Sequence, residues 1–163
     1  MLNIKKDKIK GIWLYGLSGS GKSFISDYLF KKINNSILID GDLVRKYIST
    51  DLGYTKKDRE IQISRVLGIS ILSIKSKKFP IASTVYFNKK MKTDCLKNKI
   101  YPFKIERKKF YKIVKTHKTY KNKNNVVGKD IFYDDFKTEK IINNNKNDLS
   151  YNSKIKLIIK RSN

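Results

Sequence analysis

The stretch Gly11-Ile-Trp-Leu-Tyr-Gly-Leu-Ser-Gly-Ser-Gly-Lys-Ser23 decides the fold of this chain. It begins with a short apolar segment, Gly11–Tyr15, which is typical of a buried β-strand. A loop of glycine and serine, Gly16–Gly21, follows it directly. The next segment, Lys22–Ile33, has apolar residues at helical spacing. In a strand–loop–helix unit of this kind, backbone N–H groups turn inward at the start of a helix, where they bind phosphate oxygens.

The loop fits the pattern G-x-x-x-x-G-K-[ST] in full, over Gly16–Ser23. A chance match in a chain of this length has a probability of about one per cent or less. The pattern predicts that Lys22 reaches the β- and γ-phosphates of ATP as a catalytic residue and that Ser23 binds Mg²⁺. The alternative is a glycine-rich turn without a ligand. The predicted ATP-binding residues are Gly16, Ser18, Gly19, Ser20, Gly21, Lys22 and Ser23.

Strand and helix patterns alternate along the rest of the chain. The predicted strands are Gly11–Tyr15, Ser36–Asp40, Ile81–Val85, Tyr101–Glu106 and Glu139–Asn143. The predicted helices are Lys22–Ile33, Leu43–Ile48, one from Lys56 with a Thr55/Asp58 capping box, Phe87–Lys97, Lys108–Lys115 and one over 148–163 capped by Asp148. We expect Lys118–Lys129 to be a polar loop. This alternation predicts one α/β domain over residues 1–163, with a parallel sheet covered by helices on both faces.

Length and composition exclude several classes of protein. At 163 residues the chain is the size of one domain, and it has no apolar stretch long enough to cross a membrane. The polar N-terminus and the single cysteine, Cys95, favour a cytoplasmic protein. A Cys/His metal cluster is excluded because His117 is the only histidine. We expect no chemistry from Cys95 or His117.

The net charge of +24 arises from 38 basic and 14 acidic residues, and only five of the basic residues are arginine. We interpret most of the lysines as a solvated surface that steers anionic substrates to the protein. The basic residues are spread out and no nucleic-acid-binding motif is present, so a nucleic-acid partner is not expected. A P-loop nucleic-acid-binding protein or polynucleotide-end kinase, using the basic C-terminal half, is the alternative function.

An acidic pair, Asp40-Gly41-Asp42, comes at the end of the second predicted strand. Ligands of open α/β sheets bind outside the carboxyl ends of the strands. One carboxylate can therefore hold Mg²⁺ through water, and the other can accept a hydrogen bond from an acceptor hydroxyl. The alternative is a tight turn in which an aspartate caps the next helix.

Several segments together resemble the adenylylsulfate (APS) kinase family, whose corresponding motifs read roughly GLSGSGKS, LLDGDNVR and DLGFSPEDR. The matching segments here are GLSGSGKS at Gly16–Ser23, LIDGDLVR at Leu38–Arg45, DLGYTKKDR at Asp51–Arg59, IAS at Ile81–Ser83 and NVVGKDI at Asn125–Ile131. They stand in the family's order and at similar spacing. The resemblance covers about residues 11–143.

The resemblance implies a P-loop kinase with a five-stranded parallel sheet. Its activity would be transfer of the ATP γ-phosphoryl group to the ribose 3′-hydroxyl of a 5′-nucleotide conjugate, with Mg²⁺ as cofactor. By the same resemblance Asp42 lies near that hydroxyl as a catalytic residue, with Asp40 as its partner and as a metal ligand through water. The resemblance also implies a homodimer.

The resemblance to the family also implies roles for the remaining site residues. Arg45 and Arg59 hold the acceptor's phosphate or sulfate, and Tyr54 stacks on its base. The structural alternatives are solvated charge for the arginines and ordinary packing for Tyr54. The full acceptor set is Asp42, Arg45, Tyr54, Arg59, Gln62, Ser83 and Val126. A basic lid over 114–130 contains Lys118, Tyr120 and Lys121, for which a solvated lysine loop is the alternative.

The departures from the family concern the acceptor. Gln62 stands where an asparagine is usual, Val126 where a second phenylalanine completes a base sandwich, and Thr84–Asn88 differs from the usual FISPY. Losing an aromatic wall weakens stacking by about 1–3 kcal/mol. One branch of APS-kinase-like proteins, from capsule gene clusters, phosphorylates cytidine diphosphoramidate. We therefore expect either adenylylsulfate or cytidine diphosphoramidate as the acceptor, with equal weight.

Overall fold

The computed structural model describes residues 8–107, 110–121, 124–143 and 152–162. The strands are β1 (Gly11–Tyr15), β2 (Ser36–Asp40), β3 (Phe79–Thr84), β4 (Ile100–Arg107) and β5 (Glu139–Asn143). The helices are α1 (Lys22–Lys32), α2 (Gly41–Tyr47), α3 (Lys56–Lys75), α4 (Lys89–Lys97), α5 (Phe110–Thr116), α6 (Lys118–Lys121) and α7 (Ser153–Ser162). No helix in these ranges is both long and apolar enough to cross a bilayer.

The five strands form one parallel sheet in the order β2-β3-β1-β4-β5, which confirms the predicted α/β fold. Strand β1 is central and buried along its whole length. Its residue Ile12 is paired with Ile81 of β3 on one side and with Tyr101 of β4 on the other. A strand hydrogen-bonded at both edges and covered on both faces has to be apolar throughout, as Gly11–Tyr15 is.

Alternate side chains of β1 enter two hydrophobic cores. Ile12 and Leu14 belong to a core that includes residues of α1 and α7, whereas Trp13 and Tyr15 belong to a core that includes residues of α3 and α4. The Trp13 indole also donates a hydrogen bond of 2.8 Å to the Thr84 hydroxyl at the end of β3. The two helical layers therefore hold the central strand rigidly from both faces.

The strand order places the carboxyl ends of β1, β2 and β3 side by side at one edge of the sheet. The glycine loop leaves β1 there, Asp40 ends β2, and Ser83 and Thr84 end β3. In an open α/β sheet this is the crevice in which ligands bind. The predicted phosphate loop and acidic pair are thus brought together by topology.

The capping box at the start of α3 is confirmed. The Thr55 hydroxyl accepts a hydrogen bond of 3.2 Å from the Asp58 amide, and the Thr55 amide donates one of 3.0 Å to the Asp58 carboxylate. These paired bonds satisfy N–H groups that a helix start otherwise leaves without a partner.

Several predicted boundaries were wrong. Helix α4 begins at Lys89 because the side-chain Oδ1 of Asn88 caps it by accepting from the Met91 amide at 2.8 Å, which leaves Phe87 in the core. Strand β3 spans Phe79–Thr84 and not Ile81–Val85. Part of the predicted Lys118–Lys129 loop is helix α6.

The last described helix, α7, begins at Ser153. Asn152 caps α7, because its side-chain oxygen accepts hydrogen bonds from the amides of Lys154 (3.1 Å) and Ile155 (3.3 Å). Asp148 and Lys108, which were predicted as the starts of helices, lie outside the described residues.

We expect Ile155→Ala to lower the free energy of unfolding by about 2–5 kcal/mol, because it opens a cavity where α7 packs into the core. Ile155 is fully buried there. The measurement is urea denaturation followed by circular dichroism. Lys156→Ala, at an exposed position of the same helix, is the matched control and should change stability by less than about 0.5 kcal/mol. Equal effects of the two substitutions would contradict the packing of α7.

Candidate active site

The loop between β1 and α1 has a backbone that only glycine adopts easily. Gly19 and Gly21 have φ angles of 82° and 95°, in the left-handed region, and Gly21 is the N-terminal cap of α1. At Gly16 a side chain would collide with the backbone carbonyl of Ile105 on β4. These contacts explain why glycine stands at the fixed positions of the motif.

Lys22 lies across this loop, where its ammonium group donates a hydrogen bond of 3.2 Å to the Leu17 carbonyl. Burial lowers the pKa of Lys22 to about 8, while the negative charges of Asp42 and Asp40 act in the opposite direction. A bound polyphosphate would supply the negative charge that favours the protonated form. Lys22 is therefore placed to neutralise an anion that enters the loop.

The two aspartates have different environments. Asp40 caps α2, since its Oδ1 accepts hydrogen bonds from the amides of Asp42 (2.8 Å) and Leu43 (3.2 Å). The alternative interpretation of this pair, in which an aspartate caps the next helix, is thus confirmed for Asp40. Its other oxygen and the whole Asp42 carboxylate accept no hydrogen bond within the described ranges. Three carboxylate oxygens are therefore directed to solvent or ligand.

The donor set suits magnesium. The Ser23 hydroxyl and the Asp40 carboxylate are hard oxygen donors that line the same cavity. No group of three or more His, Cys, Asp or Glu side chains capable of holding a metal occurs in the described part of the chain. Mg²⁺ needs no such cage, because it keeps several waters and takes phosphate oxygens as ligands. Ser23 and Asp40 therefore fit an ion that arrives with ATP.

Across the cavity from the loop, two guanidinium groups hold one tyrosine ring. The guanidinium carbon (Cζ) of Arg45 lies 4.8 Å from the centroid of the Tyr54 ring, and that of Arg59 lies 5.6 Å from it. Arg45 also donates to the Gly53 carbonyl, and Arg59 donates to the Tyr54 carbonyl at 3.2 Å and to the Asn125 carbonyl at 2.7 Å. Burial and the nearby Arg45 charge lower the pKa of Arg59. Two like charges held this close favour an anion between them.

A cavity of about 320 Å³ joins these parts. The predicted site residues that line it are Ser18, Gly19, Lys22, Ser23, Asp40, Asp42, Arg45, Tyr54, Arg59, Gln62 and Ser83. They come from the ends of three strands and the starts of the helices that follow. Their convergence needed the sheet order, because up to about sixty residues of chain separate them.

Some predicted residues do not line this cavity. Gly16, Ser20 and Gly21 shape the loop, and Val126 is buried nearby, with its amide donating to Asp130 at 2.9 Å. Tyr120 is buried and donates to the Ser18 carbonyl at 3.1 Å, so it packs on the phosphate loop. Lys121 is exposed, and the side chain of Lys118 lies outside the described part.

Sequence reasoning missed two lining residues of the lid, His117 and Thr119. The His117 Nδ1 accepts a hydrogen bond of 3.3 Å from the Thr119 amide, and its ring meets Tyr120 edge-on at 5.9 Å. The one signal in the sequence for a role of His117 is its position, because this single histidine stands directly before the predicted lid residue Lys118. Without the fold, nothing indicated that this segment turns toward the phosphate loop.

Relatives of known sequence match part of the chain. A probable adenylyl-sulfate kinase of Synechocystis sp. is 43% identical over 65 residues, which cover 37% of each chain. An adenylyl-sulfate kinase of Buchnera aphidicola subsp. Schizaphis graminum is 34% identical over 108 residues, 60% of this chain and 51% of that protein. The chain thus spans about a third to a half of the length of the curated relatives it matches.

Solved structures show the same fold. The APS kinase of Mycobacterium tuberculosis, in complex with AMPPNP and APS, superposes with a TM-score of 0.75 at 19% identity, over 93% of this chain and 98% of that one. A family model, described as adenylylsulphate kinase, matches residues 8–122. Because that match covers well over half of the sequence and includes the loop, the acidic pair and both arginines, the chain belongs to the adenylylsulfate kinase family.

Proposed function

We propose that this protein is an ATP-dependent kinase that phosphorylates the ribose 3′-hydroxyl of a 5′-nucleotide conjugate. One observation carries the proposal: a single cavity is lined by Lys22 and Ser23 of the predicted phosphate loop and by Arg45 and Arg59. Phosphoryl transfer needs a donor phosphate and an acceptor held together in this way, with water largely excluded. The basic surface would steer both anionic substrates toward the cavity.

In the proposed reaction the loop amides and Lys22 hold the β- and γ-phosphates of ATP. The acceptor's 3′-oxygen forms a bond to the γ-phosphorus, and the bond from that phosphorus to the β-bridging oxygen breaks, which releases ADP. The hydroxyl proton passes to the Asp42 carboxylate, which faces the cavity without a described hydrogen-bond partner. Ser23, and Asp40 through water, would hold Mg²⁺, which neutralises phosphate charge.

The acceptor would be held at its anionic end by Arg45 and Arg59, with Tyr54 beneath its base. Both guanidinium groups lie over the Tyr54 ring, so the three side chains form one cluster. No second ring stacks on Tyr54 in the described ranges, and Val126 is turned into the protein. A base with less stacking surface than a purine fits this arrangement at least as well as adenine.

The family resemblance names two candidate acceptors, adenylylsulfate and cytidine diphosphoramidate, and we propose one of them; the second would place the enzyme in capsule decoration. We also propose that the enzyme uses Mg²⁺ and acts as a cytoplasmic homodimer. The alternative of a P-loop protein acting on nucleic acid is not favoured, because the family match extends through both arginine motifs.

The test of the proposed function is ADP release by the purified chain with Mg²⁺ and ATP, with mass detection of the product. We expect turnover that depends on adenylylsulfate or on cytidine diphosphoramidate, and a product one phosphate heavier at the ribose. ATP binding without turnover on either nucleotide would contradict the proposal. Steeply salt-dependent RNA or DNA binding in its place would support the alternative.

Lys22→Ala should reduce turnover by at least about a hundredfold, because it removes the cation that faces the transferring phosphoryl group. The fold should remain, since the one side-chain hydrogen bond described for this lysine is to the loop itself. Steady-state kinetics and a melting curve provide the measurement. Lys31→Ala, at an exposed position on the same helix, is the control and should leave turnover unchanged. Normal turnover in Lys22→Ala would rule out the assigned role.

Affinity for ATP should fall as the pH rises from 7 to 9. The pKa of Lys22 in the free protein is about 8, so the ammonium form that attracts phosphate is mostly present at pH 7 and mostly lost at pH 9. The charged fraction falls about tenfold over this range, and affinity falls by up to the same factor. Calorimetry with AMPPNP and Mg²⁺ at each pH is the measurement. In Lys22→Ala the slope should flatten; an equal slope in both proteins would assign the titration to another group.

A further inference from the structure

The side chain of His117 is held in place in the lining of the cavity, which it shares with Lys22 and Ser23. Its Nδ1 accepts a hydrogen bond of 3.3 Å from the Thr119 amide. Its backbone carbonyl accepts one of 3.0 Å from the Tyr120 amide. His117 therefore caps the start of α6 with both its side chain and its backbone.

The hydrogen bond from Thr119 decides which ring nitrogen of His117 carries a proton. An amide N–H can be accepted only by a nitrogen with a free lone pair, so Nδ1 is unprotonated. The neutral imidazole then carries its proton on Nε2. The ring thus offers a hydrogen-bond donor at Nε2 and no second acceptor.

The Nε2 donor is open to a ligand. It has no hydrogen-bond partner in the described part of the chain, and it is not among the polar side-chain atoms there that are sealed from solvent without a partner. Because His117 is only half-buried and lines the cavity, a molecule bound in the cavity can reach this nitrogen.

The segment that carries His117 is attached to the phosphate loop. The Tyr120 hydroxyl donates a hydrogen bond of 3.1 Å to the Ser18 carbonyl, and the ring centroids of Tyr120 and His117 are 5.9 Å apart. The neighbouring Gly19 carbonyl accepts from Arg107 at 3.3 Å. These two loop carbonyls thus accept from other side chains, and the loop amides can only donate. An oxygen of a phosphate bound in the loop is an acceptor that matches Nε2.

We infer that His117 is a catalytic residue that donates a hydrogen bond from Nε2 to a phosphate oxygen of ATP during phosphoryl transfer. This inference rests on the proposed function, since it takes the glycine loop as the ATP site. It departs from the expectation, drawn from the sequence, that His117 takes no part in the chemistry. A donor held in advance where negative charge develops stabilises the transition state more than the ground state.

The histidine gives a hydrogen bond and no proton. The bond that forms is still the one from the acceptor's 3′-oxygen to the γ-phosphorus, and the bond that breaks is the one from that phosphorus to the β-bridging oxygen. The hydroxyl proton still passes to Asp42. The contribution of His117 is therefore to the barrier and not to the balance of the reaction.

The alternative is that His117 only caps α6. The two roles use different ring nitrogens, so two substitutions separate them. In His117→Asn the side-chain oxygen takes about the place of Nδ1 and can cap the helix, but no atom reaches the place of Nε2. In His117→Gln the amide nitrogen reaches about the place of Nε2 as a donor, whereas glutamine is not a preferred helix cap.

The test compares the two variants in steady-state kinetics with Mg²⁺, ATP and the acceptor that the wild-type chain uses, adenylylsulfate or cytidine diphosphoramidate. We expect kcat to fall at least about tenfold in His117→Asn, with KM for ATP changed by less than about threefold, because the lost contact acts in the transition state. His117→Gln should keep kcat to within about threefold of the wild type.

Lys112→Ala, at an exposed position of α5, is the matched control and should behave as the wild type. Turnover kept in His117→Asn and lost in His117→Gln would assign His117 to capping and overturn the inference. Equal kcat in the two variants, whether normal or reduced, would overturn it as well.

Calorimetry separates this inference from the proposed function. The probe is ADP with Mg²⁺ and aluminium fluoride, which stands in for the phosphoryl group in transfer. We expect it to bind His117→Asn at least about tenfold more weakly than the wild type, while AMPPNP binds both proteins equally. That result without turnover on either nucleotide would support the role of His117 and contradict the kinase. Equal affinity for the fluoride complex, together with turnover, would support the kinase and overturn the role of His117. Failure of the wild type to bind either probe would overturn both.

Discussion

The central constraint of this structure is the burial of β1 between two neighbouring strands and two helical layers. Its side chains alternate between the two cores, and both of its edges are hydrogen-bonded. Such a strand cannot shift by one residue without exchanging Trp13 and Leu14 between cores of different shape. The glycine loop begins where β1 ends, so its position in space is fixed to the same precision.

The loop in turn depends on close backbone approach. Gly16 lies against the Ile105 carbonyl of β4, and Tyr120 donates from the lid to the Ser18 carbonyl. Arg107, at the end of β4, donates to the Gly19 carbonyl at 3.3 Å. The loop is thus held from the strand, from the lid and from its own helix before any phosphate arrives. A preorganised loop of this kind loses little freedom on binding, which favours tight phosphate recognition.

The cavity is lined by charges of both signs. Lys22, Arg45 and Arg59 bring positive charge to its lining, and Asp40 and Asp42 bring negative charge. Positive groups suit phosphates, and carboxylates suit a hydroxyl or a metal ion. The high net charge of the chain is a separate property, since Lys22 is the one described lysine that lines the cavity.

Much of the fold was predictable because its signals are local. The apolar run of Gly11–Tyr15, the Thr55/Asp58 capping box and the fixed glycines each follow from backbone or burial requirements that act within a few residues. The errors came where local signals compete. Asn88 and Asn152 cap their helices in the structure, yet other polar residues close by could do so equally well in sequence. Phe87 has helical spacing but packs against Tyr15 with ring centroids 4.4 Å apart.

The sequence by itself determined the phosphate loop, the acidic pair and the family, because these depend on residue types at fixed spacing. Only the tertiary structure decided which residues share a cavity. His117 lines it because its segment packs on the glycine loop, where Tyr120 donates to the Ser18 carbonyl. Val126 does not line it, and its amide donates to the Asp130 carboxylate instead. The hydrogen bonding of the Gln62 side chain is another feature that only the tertiary structure decided. Whether a buried amide is satisfied depends on atoms distant in sequence, and here the Gly41 carbonyl, twenty-one residues before Gln62, accepts from its nitrogen, while its oxygen has no partner among the described residues.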